Sequence, residues 1–169
     1  MKQRPNKKPA ASCYDVALTQ LGRRDFSSAE LAKRLQDKGF EDTEVAEVMA
    51  RLIDQRYVDD ARYAKAVVRS RAQISGWGIQ RIKMDMKRRL IPQDVIDTAL
   101  MDYDEKIDKS EDDAKPWDEQ AVALLEKKYG RWSGTLGPKD YNKRMGFLVR
   151  RGFTLDQARH ALDATRDSL

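Results

Sequence analysis

Residues 35–49, LQDKGFEDTEVAEVM, decide the fold. Leu35 closes one apolar helix face and Gly39 can end that helix in the left-handed conformation. Phe40 and Val45 have the spacing of a hydrophobic staple around an N-cap at Glu41. Val45, Val48, Met49, Leu52 and Ile53 then form the apolar stripe of the next helix. The same grammar recurs at 86–100, MKRRLIPQDVIDTAL, and at 148–162, LVRRGFTLDQARHAL. Laid over one another, the three stretches align Leu35 with Met86 and Leu148, and Phe40 with Ile91 and Phe153. Further on they align Val45 with Ile96 and Ala158, and Met49 with Leu100 and Leu162. A helix–turn–helix unit repeated at intervals of 51 and 62 residues is a degenerate repeat whose copies stack in a row.

Each stretch is preceded by another helix. Tyr14, Ala17, Leu18 and Leu21 share one face before Gly22, and Ser27 with Glu30 predicts a capping box for the helix carrying Leu31 and Leu35. Asp59 or Asp60 can cap a helix with Ala64, Val67 and Val68 inward. A turn at Ser75–Gly78 leads to Ile79, Ile82 and Met86, and Pro92 suits the first position of the helix after it. In the third copy, Ala121, Leu124 and Leu125 precede Gly130 and a glycine-rich loop over 131–138. A helix with Tyr141, Met145, Leu148 and Val149 follows, and Thr154 with Gln157 makes a second capping box. The expectation is an all-α chain of three tandem three-helix repeats in an elongated, curved array. Its predicted parts are a basic tail (1–13), repeats over 14–56 and 57–101, an acidic linker or frayed helix (102–116) and a third repeat (117–169).

Composition narrows the class. Of 169 residues, 36% are charged and 40% hydrophobic, which suits thin helical layers. A single cysteine makes no internal disulfide, and no apolar run approaches a membrane span. The basic N-terminus lacks the apolar stretch of a signal peptide, so a cytoplasmic protein without membrane partners is expected. The only histidine, His160, lies within the last helix, and Cys13 has no nearby Cys or His to form a dyad or zinc site. The Gly76-Trp77-Gly78 turn lacks the Gly-Lys-Ser/Thr that cradles phosphate. No catalytic residue, cofactor site or metal site is expected.

Charge distribution carries the functional signal. Residues 62–89 hold nine bases and one acid, Asp85, whereas 102–113 hold seven acids and two lysines. Arg62, Lys65 and Arg69 form a stripe opposite the apolar face of one helix. Arg81, Lys87 and Arg88 do so on the next, with Met84 among them as an outward apolar residue. These seven residues are the predicted face for a phosphate-bearing or acidic partner. Trp77 is read as a wedge between repeats. A DNA-binding trihelical module is the alternative function, with 81–89 as recognition helix. Gln80 is its one candidate base reader, so weak, non-specific contact with single- and double-stranded DNA is expected.

Four stretches resemble the RecX family of bacterial recombination regulators: ALTQLGRRDFSSAELAKRLQDKGF (17–40), LIDQRYVDDARYAKAVVRSR (52–71), GWGIQRIKMDMKRRLI (76–91), and KKYG (127–130) with LVRRGF (148–153). The resemblance runs from about residue 14 to 165. It implies three three-helix repeats without catalysis, and a modulator that docks in the groove of the RecA nucleoprotein filament. The expected outputs are reduced filament growth, ATPase, strand exchange and SOS coprotease activity. Two departures stand out: Leu90 replaces the usual glycine before Ile91, and the acidic segment follows no family pattern.

Overall fold

The computed structural model describes residues 11–111 and 114–167. The expected basic tail, up to residue 10, and two residues of the acidic stretch lie outside them. Within the described residues are nine α-helices in three groups of three. The first group is α1 (Cys13–Leu21), α2 (Ser28–Asp37) and α3 (Asp42–Asp54). The second is α4 (Asp60–Arg69), α5 (Ile79–Arg88) and α6 (Gln93–Asp108), with a π-helical turn at Ser70–Ile74 after α4. The third is α7 (Trp117–Tyr129), α8 (Pro138–Arg150) and α9 (Leu155–Ala164). One isolated parallel bridge, Trp132 to Arg166, is the only strand-like pairing described.

Each group encloses its own core. Leu31, Leu35 and Leu52 are fully buried in the first, Ile82, Met86 and Ile96 in the second, and Leu125, Leu148 and Leu162 nearly or fully so in the third. All twelve residues aligned from the sequence are buried. Each large one contributes roughly 1.5–3 kcal/mol by leaving water. The strongest helix pairings fall inside the groups, α4 with α6 and α7 with α9 above all. The molecule is therefore an array of three small cores.

The repeat extends to single hydrogen bonds. The Gly39 amide donates to the Gln36 carbonyl and the Phe40 amide to that of Leu35. Leu90 and Ile91 donate to Lys87 and Met86, and Gly152 and Phe153 to Val149 and Leu148. This is one helix-terminating motif made three times, closed by a left-handed residue. Gly39 and Gly152 have φ of 92°, and Leu90 adopts φ of 57° in the same role. The missing glycine has not changed how the turn closes. A β-carbon in that conformation costs about 1–2 kcal/mol, which the surrounding packing holds in place.

Several expectations are corrected. Of the two readings of the acidic segment, linker or frayed helix, the first fails from residue 102 onward, because α6 continues to Asp108. Tyr103 packs its ring 5.1 Å from that of Trp117, and the Trp117 indole donates to Asp104, so these two turns belong to the second core. Ile53 is half exposed, one position beyond the stripe that ends in Leu52, and Tyr141 and Val149 are likewise outside the third core. Pro92 is the N-cap of α6 rather than its first residue. Ser27 accepts from the Glu30 amide, but the Glu30 carboxylate bonds Arg24 instead of completing the box. At Thr154 and Gln157 both halves of the box are formed.

Candidate partner-binding face

The junction of the second and third repeats organises the basic residues. Helix α5 begins after Gly78, which brings no side-chain cap. The turn that follows α8 supplies partners instead: the Gly78 amide donates to the Arg151 carbonyl at 2.8 Å and the Gln80 amide to that of Gly152 at 3.1 Å. A helix end with unsatisfied amides is thus capped by backbone from the next repeat. Arg151 ties the other side, donating to the Ser75 carbonyl at 2.9 Å and to that of Gly76 at 3.3 Å. Trp77 is half-buried beside this seam, with Arg71 and Arg81 each over its ring at 4.7 and 4.1 Å. Its indole packs on the second core and borders the space toward Val149, Arg150 and Gly152 of the third repeat.

Along the seam runs an open cleft of about 480 Å³. Its α5 wall presents Gln80, Arg81, Met84 and Arg88, and its α8 wall Val149 and Arg150. Arg81, Met84 and Arg88 stand at i, i+3 and i+7, on one face of α5. The Arg81 guanidinium, over Trp77, also donates to the Arg150 carbonyl. Met84 is 55% exposed and Val149 41%, so apolar surface lies open between guanidinium groups.

The seven predicted residues are all exposed, yet only three share the cleft: Arg81, Met84 and Arg88. Lys87 is exposed on α5 but does not line it. The α4 cations are engaged one by one. Lys65 pairs with Asp102 at 2.9 Å, Arg69 reaches Gln73, and Arg62 donates to the Arg56 carbonyl. Two other bases of the basic block are structural: Arg71 and Arg89 both bond Asp85, at 3.0 and 3.1 Å. Arg89 also donates to the Tyr63 hydroxyl at 2.6 Å. Burial opposes its charge, but the Tyr63 and Asp85 bonds outweigh that and hold the guanidinium above its ordinary value. Asp85, the one acid of the block, is therefore neutralised from within. Arg150 and Val149 were not among the predicted residues. Both lie within LVRRGF, and only the fold brings that motif to α5.

Among the described residues, no group of three or more metal-ligating side chains converges, and no helix is long and apolar enough to cross a membrane.

Comparison with known proteins follows the same three-part division. Models of the first, second and third three-helix domains of RecX match residues 13–52, 59–100 and 118–162. Among curated proteins, a "Regulatory protein RecX" of Vibrio campbellii is 31% identical over 154 residues, covering 91% of this chain and 92% of that one. A protein of the same name from Chromohalobacter salexigens is 33% identical over 152 residues, covering 90% and 91%. The crystal structure of RecX from Lactobacillus salivarius superposes with a TM-score of 0.74 at 24% identity, over 90% of this chain and 94% of that one. That last likeness speaks for the fold.

Proposed function

The chain belongs to the RecX family of regulatory proteins, and from that premise we propose that it is a non-enzymatic regulator that binds the RecA nucleoprotein filament and inhibits it. The affected activities are filament growth, ATPase, strand exchange and the SOS coprotease, in the cytoplasm and without a cofactor. The observation that carries the reading is that all three family domains match in order along residues 13–162. The exposed cations of α5 and α8 support it. A row of small cores with arginines along one seam suits a long, shallow, acidic partner surface better than an enclosed small-molecule site. Contact with single- and double-stranded DNA is weak and non-specific, through the same cations.

The test is the ATPase of RecA on single-stranded DNA, with the protein titrated from sub-stoichiometric levels upward. Inhibition well below one protein per RecA is expected, because a filament is stopped by action at its growing end. Unchanged ATPase at a molar excess would overturn the assignment.

A further inference from the structure

We infer that the cleft between α5 and the end of α8 receives an acidic protein segment with an apolar side chain set among its carboxylates. This rests on the RecA-binding reading and specifies what the cleft recognises there. Arg81 and Arg88 line the cleft from α5, Arg150 borders it with its guanidinium back over Gly146, and none of the three forms an ion pair with a carboxylate among the described residues. Asp85, which also borders it, is already held by Arg71 and Arg89, so the cleft keeps a positive balance. Guanidinium groups match carboxylates with paired donors, and stacking on Trp77 pre-orients that of Arg81.

The apolar residues separate protein from nucleic acid. Met84 lies between Arg81 and Arg88 on one helix face, and Val149 faces it from α8. Both are substantially exposed, at 55% and 41%. A phosphate backbone offers nothing to cover them, and a surface built for phosphate gains from a cation at position 84. An acidic segment with a leucine- or phenylalanine-like side chain covers Met84 and Val149 while its carboxylates meet the arginines. Methionine adapts its shape to such an anchor.

Met84→Lys therefore has opposite consequences for the two partner classes. On the protein reading it removes the apolar floor despite adding a favourable charge. The protein concentration giving half-inhibition of RecA ATPase on single-stranded DNA should rise about tenfold. Met84→Leu should stay within about twofold of the unsubstituted chain. Val149→Lys, on the other wall, should reproduce the loss and guards against a local fault at position 84. Duplex DNA binding without RecA should be unchanged or stronger in both lysine variants. If both lysine variants inhibit as well as or better than the unsubstituted chain, the cleft reads phosphate or nothing, and the inference is overturned. Loss in Met84→Leu equal to that in Met84→Lys overturns it too. Absence of inhibition by the unsubstituted chain is a separate result, and it overturns the RecA reading and this inference together.

Discussion

Gly78 and Gly152 stand back to back across the seam. A Cβ on Gly78 would lie 2.5 Å from the carbonyl carbon and oxygen of Gly152, and one on Gly152 would lie 2.4 Å from the Arg81 amide nitrogen. These are backbone atoms, so no side chain can swing aside. Gly78 has φ of −78°, which any residue adopts. Its glycine answers to the approach of the third repeat rather than to its own conformation.

Gly78→Ala should consequently destabilise the protein by about 1–3 kcal/mol, the range for overpacking. At this chain length each kcal/mol lowers Tm by about 2–4 °C. The control is Gly137→Ala, at φ of −66° and with nothing within 4 Å of its Cβ, which should change Tm little. Thermal melts followed by circular dichroism compare the two, and equal melts would mean the repeats are not in contact here.

Leu90→Gly should stabilise. The substitution relieves a left-handed φ of 57°, while the greater freedom of glycine in the unfolded chain offsets part of the gain. A net gain of about 0.5 kcal/mol is expected, read as a rise in urea midpoint at constant m-value. A lower midpoint would mean that the 42% exposed leucine side chain contributes more than its backbone costs.

On the proposed function, reversing Arg81 and Arg88 together to Glu should abolish inhibition of RecA. Each reversal changes the cleft by two charges and replaces attraction to an acidic partner with repulsion. Both side chains are exposed, so the helical signal should persist. Arg159 and Lys139, both exposed on the third repeat, make the matched control. Equal loss in the control pair would reduce the effect to net charge.

Duplex DNA binding without RecA should have a shallow salt dependence. Four cations, Arg81, Lys87, Arg88 and Arg150, would give a slope near −3.6 in log K against log salt, at about −0.9 per phosphate. The α4 residue Lys65 and the α5 residue Lys83 are paired with Asp102 and Asp97 and add little. A slope indistinguishable from zero would remove phosphate contact altogether, and one steeper than about −6 would bring the paired lysines back.

Tyr103 makes stability pH-dependent on the alkaline side. Burial is the main reason its phenol is pushed above the ordinary tyrosine range. A raised folded pKa favours the protonated native state. The contribution is complete below the unfolded value of about 10 and is lost as pH rises through the higher folded value. The hydroxyl is buried beside Lys115, Gln120 and Gln73, whose hydrogen bonds pull the other way without outweighing burial. Tyr103→Phe keeps the ring against Trp117, should change stability at neutral pH by no more than about 1 kcal/mol, and should flatten the alkaline decline. Urea titrations at pH 7 and in the alkaline range measure both.

Much of this architecture is readable in the chain because its cores are local. Leu35, Phe40, Val45 and Met49 bury one another within fifteen residues, and periodicity reports such contacts directly. The joints are not readable in that way. The bonds from Gly78 and Gln80 to Arg151 and Gly152 join backbone groups, and the two motifs carry no trace of each other beyond a glycine apiece. Helical phase marked Lys65 and Arg81 alike as outward-facing. It could not tell that Asp102, on another helix, occupies the first, while the second opens onto a cleft. Ile53 and Leu52 differ by one step of a helix, finer than a stripe drawn from sequence resolves.

The two joints differ in kind. The first repeat meets the second through side chains, with Ser28 bonding Asp60 and Ser27 donating to the Arg89 carbonyl. The second meets the third through main-chain bonds from Gly78 to Arg151 and from Gln80 to Gly152, beside two glycines in close backbone approach, and Trp117, at the head of α7, is already part of the second core. In mechanical terms the molecule is a compliant link followed by a stiff one. Pulled from its ends, it should yield first between α3 and α4, releasing one small body from a pair that comes apart later and together. Amide exchange should sort the same way, with α1–α3 opening as one unit and α4–α9 as another.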